Sequence, residues 1–300
     1  MVNGLKTKNP PQKKMPGGTP GILYVVATPL GNRDDITLRA LNILREVDLI
    51  AAEDTRKTRG FLTLHAIKNN LISYHEHNEA ERTPTLLTKL IGGLSIALVS
   101  NAGTPTVSDP GYRLIEAALA NHLNVIPIPG VCAATTALSV AGLPTDSFVF
   151  VGFPAKKKAK RLRQLSELAS QSRTLIFYES PRRIWTLLNE IRDIMGNRRG
   201  VVAREMTKLH EEFMRGRLSE IADQLADRND IKGECTLLVA GNDGDNNHSW
   251  PEVTQQIEAA VAAGQNSLSA IAREIASTSG IAKNKIYAEA LRISKELESG

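Results

Sequence analysis

From residue 21 to about residue 240 the chain alternates short runs of β-branched and aliphatic residues with stretches whose apolar residues recur at helical spacing. A strand buried on both faces needs a continuous apolar run, and the helix that covers it needs an apolar stripe of period 3.6. The alternation therefore predicts an α/β architecture with a largely parallel sheet. Strands are predicted at 22–27 (ILYVVA), 48–52 (DLIAA), 71–74 (LISY), 95–100 (SIALVS) and 124–128 (NVIPI). In the stretch 36–47, Ile36, Ala40, Leu41, Leu44 and Val47 fall on one helical face, with Asp35 as the expected N-cap. Asp109 followed by Pro110 predicts another helix start, with the acid at the N-cap and proline first in the helix.

Near residue 144 the rhythm changes, and turn residues surround a single strand in LPTDSFVFVGFP, which places a domain boundary between about 144 and 154. Beyond it the sequence predicts a helix at 156–169, a strand at 174–180, a helix at 181–195, strands at 199–205 and 210–216, a helix at 218–226 and a strand at 234–240. That order describes a second α/β domain with a mixed sheet. The expected organisation is an arm at 1–20, an N-terminal α/β domain at 21–148, a C-terminal α/β domain at 149–241, and a linker with a helical module at 242–300. Within the module, 267–293 reads as helix, turn at Gly280 and helix, with Leu268, Ile271 and Ile275 facing Ile286, Ala290 and Ile293. Docking against the protein core is the role expected for it, since 241–300 sum to −3 and Lys283 and Lys285 are the only basic cluster at the second helix start.

Composition excludes some classes. No apolar run approaches the eighteen or so residues that cross a bilayer, so no membrane role is expected. The first twenty residues hold four lysines and four prolines without an apolar core, which reads as a disordered arm and not a secretory signal, so a cytoplasmic location is expected. Cys132 and Cys235 have no neighbours at metal-ligand spacing and read as reduced. The net charge of +5 is uneven, with residues 153–240 alone at +6. Its densest piece is KKKAKRLR, in which Lys156, Lys157, Lys158, Lys160, Arg161 and Arg163 form either a solvated helix face or a polyanion site.

The chain has no G-x-G, no G-x-x-x-x-G-K-[ST], no G-x-S-x-G and no H-E-x-x-H. The nicotinamide, phosphate-loop and zinc-protease readings lose their usual support. His75 and His77 read as polar loop residues, and no metal is expected. The remaining signals all follow predicted strands of the first domain: TPLGN (28–32), AEDTR (52–56), YHEHNE (74–79), SNAGTP (100–105) and PGVCAA (129–134). In an open parallel sheet the strand carboxyl ends share one edge, where ligands bind, so these loops are expected to converge on a pocket. AEDTR is also the pattern of a helix N-cap with a local Asp–Arg pair.

These loops, together with DPGY (109–112), TLIFYESPRR (174–183) and REMTK (204–208), stand in an order that resembles one branch of the tetrapyrrole methylase superfamily. That branch methylates the ribose 2′-oxygen of a cytidine in 16S rRNA of the small ribosomal subunit, using S-adenosylmethionine. The resemblance spans roughly residues 21–240. It implies two α/β domains with the cofactor cleft between them, and a homodimer. It places the cofactor on backbone groups around Asn101, Ala102, Gly103, Thr104, Cys132 and Ala133, with Tyr178 and Glu234, and catalysis on Glu53, Asp54, Arg56, Glu205 and Lys208. Asn101 departs from the aspartate of the family's SDAGTP pattern, which removes a negative charge there. A ribose hydroxyl needs a positioned base, and Glu53, Asp54, His75, His77 and Glu205 are the candidates. The rival readings are a methylase of the same fold acting on a tetrapyrrole or a protein, and an RNA-binding relative without activity.

Overall fold

A computed structural model describes residues 19–226, 228, 232–242, 250–264, 266–279 and 281–298, with residues 297 and 298 described by their backbone alone. The expected arm up to residue 18, the linker at 243–249 and the turn at Gly280 lie outside the described residues. The chain divides into two compact units, one of residues up to 29 with 33–131, the other of residues 30–32 with those from 132 onward. The break in sequence rhythm, in contrast, falls after 144.

The first unit holds β1 (Ile22–Val26), α1 (Leu38–Glu46), β2 (Leu49–Ala52), α2 (Thr55–Leu64), β3 (Leu71–Ser73), α3 (Glu79–Ile91), β4 (Ile96–Val99), α4 (Tyr112–Ala120) and β5 (Asn124–Ile128). Its sheet runs β3-β2-β4-β1-β5 with every neighbouring pair parallel. Central β4 is buried along its whole length, as a run covered by helices on both faces must be. One core cluster packs Leu44, Ile50 and Leu62 on one face, and another packs Leu86, Leu90 and Leu114 on the other.

Two helix starts differ from expectation. Thr37, not Asp35, caps α1, its hydroxyl accepting the Ala40 N–H at 3.1 Å. Helix α4 begins at Tyr112 with Gly111 as its N-cap, so Asp109 and Pro110 stay in the loop. The chain must first wind through Thr106 and Ser108, both at positive φ, before it can enter the helix. Gly111, at φ 135, is required there, because a Cβ would lie 2.6 Å from the Leu98 side chain.

The second unit holds α5 (Ala133–Ser139), β6 (Phe148–Gly152), α6 (Lys158–Leu168), β7 (Thr174–Glu179), α7 (Pro181–Met195), β8 (Arg199–Arg204), β9 (Glu212–Arg217), α8 (Leu218–Ala226) and β10 (Cys235–Val239). Its sheet runs β6-β7-β10-β8-β9, with only β6 and β7 parallel as neighbours, so the sheet is mixed as predicted. Helix α5 joins this sheet through Ala137 and Leu138, which pack with Ile176, Val201 and Leu238.

Helices α9 (Trp250–Ala263), α10 (Leu268–Ser279) and α11 (Lys283–Glu298) follow. Ile271, Ile275, Ile286, Ala290 and Ile293 share one core with Val253 and Ile257 of α9. Lys285 lies over the Trp250 ring, 4.1 Å from its centre. A cavity of about 600 Å³ lies between α10–α11 and the turn at Asn197–Arg199. No helix among the described residues is long and apolar enough to cross a membrane.

Candidate active site

In the first unit the parallel strands deliver their carboxyl ends to one edge. There Thr28 and Gly103 exchange two backbone hydrogen bonds, 2.9 and 2.8 Å long. Thr28 Oγ1 donates to the Ser100 carbonyl, and Ser100 Oγ donates to the Ala102 carbonyl, each at 3.1 Å. Thr104 Oγ1 donates to the Val131 carbonyl at 3.0 Å, tying the loop after β4 to the turn after β5. The Asn101 N–H donates to Glu53 Oε2 at 2.9 Å, while the Asn101 side chain is exposed. Backbone at Asn101–Thr104 is thus held from three sides, and Gly103 takes φ 75 to allow it. Between the end of β4 at Val99 and the start of α4 at Tyr112, the chain is thus pinned at Ser100–Thr104 and then turns through Thr106, Ser108 and Gly111 into the helix.

The AEDTR carboxylates have local work. Glu53 anchors the Asn101 loop. Asp54 caps α2, accepting the N–H groups of Arg56 at 2.9 Å and Lys57 at 3.4 Å, and Arg56 Nη2 lies 3.5 Å from Asp54 Oδ2. The Arg56 backbone bond, and then the guanidinium bond, hold the Asp54 carboxyl below the usual carboxylate range. After β3, His75 Nε2 lies 3.2 Å from Asn78 Nδ2 while its buried Nδ1 has no partner among the described residues. The His75 and His77 ring centres are 6.0 Å apart. Among the described residues no group of three or more His, Cys, Asp or Glu could hold a metal ion.

In the second unit Glu179, Cys235, Arg204 and Glu212 form one row across four strands. Just beyond it, Lys208 Nζ lies 2.8 Å from Glu205 Oε1 and 3.3 Å from Glu234 Oε2. Glu205 Oε1 also accepts the Glu234 N–H at 3.0 Å. Gly233, at φ 97, leaves the space that the Glu205 carboxylate fills. The Lys208 ammonium, foremost, holds the Glu205 carboxyl below its usual range. Burial pulls Lys208 down, but its two carboxylate partners outweigh this and its pKa is raised. A carboxylate stabilised in this way is a weak proton acceptor.

The REMTK turn also receives residues 30–32, a pairing that no spacing in the sequence signals. The Asn32 N–H donates to Thr207 Oγ1 at 3.0 Å, Leu30 packs in the core cluster that includes Met206, and a Cβ on Gly31 would collide with Lys208. Tyr178 Oη accepts the Ala134 N–H at 3.0 Å and lies 3.9 Å from Cys132 Sγ. It thereby supplies the acceptor that the α5 N-cap residue, Cys132, does not. Ala133 is the first residue of α5. Burial pushes the Cys235 thiol up to about 12, which leaves it inert.

The basic segment splits into two kinds of residue. Lys156, Lys157, Lys158 and Lys160 are exposed. Arg163 pairs with Glu167 at the surface, 3.0 Å apart. Arg161 is mostly buried, bonded through Nε and Nη2 to Glu190 at 2.6 and 2.8 Å and through Nη1 to the Ala155 and Lys156 carbonyls. The expectation of six phosphate partners is corrected at Arg161, whose guanidinium is spent on the fold. Arg198, Arg199, Arg215 and Arg217 likewise donate to backbone carbonyls.

Residues 22–222 match the family model described as Tetrapyrrole (Corrin/Porphyrin) Methylases. The chain is 45% identical over 288 residues to a ribosomal RNA small subunit methyltransferase I of Halalkalibacterium halodurans, covering 94% of this chain and 98% of that protein. It is 50% identical over 232 residues to the protein of the same name from Vibrio cholerae, covering 76% and 80%. Among solved structures, a cobalt precorrin-4 methyltransferase superposes with TM-score 0.55 at 17% identity, covering 73% of this chain and 94% of that one. A uroporphyrin-III C-methyltransferase of Thermus thermophilus, complexed with S-adenosyl homocysteine, superposes with TM-score 0.52 at 18% identity, covering 73% and 97%. With a matching model across most of the chain and near full-length relatives above 40% identity, the chain belongs to the tetrapyrrole methylase family, in its ribosomal RNA small subunit methyltransferase I branch.

Proposed function

We propose that this protein transfers the methyl group of S-adenosylmethionine to the ribose 2′-hydroxyl of a cytidine in 16S rRNA of the small ribosomal subunit, in the cytoplasm and as a homodimer. The observation that carries the reading is the pinned backbone at Asn101–Thr104, poor in bulky side chains, at the carboxyl edge of a parallel sheet in a chain 45% identical to an rRNA methyltransferase. The residues present fit the cofactor. Gly103 is held by two backbone bonds to Thr28, and Ala102 adds only a methyl, so a nucleoside can approach main-chain groups closely. Bound there, the cofactor supplies an electrophilic sulfonium methyl, for which alignment of the nucleophile is the main requirement.

The chain's own residues then divide the work. Asn101, Ala102, Gly103 and Thr104 bind on the first unit, and Glu53 positions them. On the second unit, Tyr178 holds the start of α5 through Cys132 and Ala134, next to Ala133, while Lys208 holds Glu205 and Glu234 in one charged cluster. Asp54 and Arg56 fix the start of α2. Of the five candidate bases, Asp54 and Glu205 are stabilised as anions and Glu53 is engaged by the Asn101 N–H, which leaves His75 and His77.

Labelled S-adenosylmethionine, incubated with small ribosomal subunits that lack the mark, tests the reading. Label in 16S rRNA, mapped to a cytidine ribose, supports it. Label on protein or on an added tetrapyrrole, or binding without turnover as the loss of charge at Asn101 would cause in an inactive relative, overturns it. Sedimentation at micromolar protein tests the dimer.

A further inference from the structure

We infer that Phe153 is a stacking platform for an unpaired base of the RNA substrate, with Lys156, Lys157 and Lys158 taking the adjoining phosphates. The inference rests on the reading above that the substrate is RNA. Pairing of β6 with β7 slips between Phe150 and Gly152, and Gly152 adopts φ 71. Such a break re-aims the side chain that follows it. Phe153 is that side chain, and it is 55% exposed.

The ring is not loose. It meets the Tyr178 ring at 5.6 Å between centres, inclined by 65°, and Tyr178 is braced in turn by Phe150 at 5.0 Å. The segment that follows is clamped from α6. Gln164 Oε1 accepts the Ala155 N–H at 3.2 Å, and Arg161 Nη1 donates to the Ala155 and Lys156 carbonyls at 3.1 and 3.0 Å. Glu190 locks that guanidinium in place. An exposed aromatic ring is therefore held in a fixed place beside exposed lysines.

Bases stack on an aromatic face whatever their identity, while cations follow the backbone, and that combination recognises single strands. A duplex conceals its base faces, so the RNA segment that meets Phe153 is unpaired. Pre-ordering of the segment lowers the entropy lost on binding. Tyr178 is thereby placed between the turn it orients at Ala134 and the ring that would receive the base.

Phe153→Leu keeps apolar bulk and removes the π face, and Phe153→Tyr restores it. The expected result is a KM for small ribosomal subunits raised roughly fivefold or more in Phe153→Leu, within twofold of wild type in Phe153→Tyr, with S-adenosylmethionine affinity by calorimetry unchanged in both. Phe153→Trp adds a direct readout: its extra fluorescence over wild type is expected to be quenched by single-stranded oligocytidylate and not by duplex RNA. An unchanged KM in Phe153→Leu, equal impairment of the leucine and tyrosine variants, a loss of cofactor affinity, or equal quenching by duplex overturns the inference. Failure of the wild type to methylate the subunits at all is a different result, and it removes the RNA reading itself.

Discussion

Arg161 and Glu190, on neighbouring helices of the second unit, form a two-pronged ion pair with Nε–Oε2 2.6 Å and Nη2–Oε1 2.8 Å, and only 12% and 11% of their side chains are exposed. Two hydrogen bonds between charged groups shielded from water are strong, and removing one partner strands the other. Arg161→Ala is expected to destabilise the protein by about 3 kcal/mol in urea melts, because the Glu190 carboxylate is left without its counter-charge. Arg161→Lys is expected to recover only part, since an ammonium cannot reproduce the fork.

The four neighbouring lysines should behave in the opposite way. Replacing Lys156, Lys157, Lys158 and Lys160 by alanine leaves the melt unchanged and lowers the slope of log RNA affinity against log salt by roughly 0.7 to 0.9 for each phosphate left without its lysine. Titrations at several salt concentrations read this directly. An unchanged slope would mean a solvated helix face.

Glu53 is expected to act through the loop it holds. Glu53→Gln keeps an oxygen for the Asn101 N–H and retains most of kcat, whereas Glu53→Ala frees the loop and weakens S-adenosylmethionine binding about tenfold, the equivalent of one hydrogen bond to a charged group. Calorimetry and single-turnover methyl transfer separate the two variants. Collapse of kcat in Glu53→Gln would make Glu53 the base instead.

Gly103→Val places a branched side chain at φ 75 in a residue that makes both bonds to Thr28. Loss of measurable cofactor binding is expected, with a destabilisation of about 1–2 kcal/mol from the left-handed backbone. A variant that melts like wild type and still binds S-adenosylmethionine removes the loop from the cofactor site.

Acid should loosen the second unit through Glu212. Two arginines, Arg228 first and Arg204 second, push its carboxyl down to about 2 from 4.5. Because the folded value is the lower one, the stabilisation is complete above about pH 4.5 and disappears as pH falls toward 2. Tm of the wild type is expected to drop through that window. Glu212→Gln is expected to start lower at neutral pH by an amount on the order of 2–3 kcal/mol and to show a shallower decline.

Truncation after Asn242 removes α9–α11, which have a core of their own. The shortened protein is expected to bind S-adenosylmethionine normally and to methylate small subunits poorly. Loss of cofactor binding would assign the module to the catalytic fold. Full activity would remove it from substrate placement.

Much of the fold was legible in local pattern. The helices predicted at 181–195 and 218–226 are Pro181–Met195 and Leu218–Ala226, because an apolar stripe and a proline in the first turn act within one element. The parallel sheet follows from fully apolar strands such as Ile96–Val99. What sequence could not decide were pairings between distant residues. Asp35 has the right chemistry for a cap, but chain geometry puts Thr37 there. Six basic residues within eight positions look alike until Glu190, 29 positions from Arg161, pairs with one of them out of solvent. Nothing near residue 31 announces that residues 30–32 pack on Thr207 and Lys208. By itself the sequence determined the elements, their order and the motifs that mark the family, since propensity and periodicity are local. Only the tertiary structure decided which charged groups are consumed by the fold and which remain for a ligand, since burial and charge pairing depend on contacts between segments far apart in the chain.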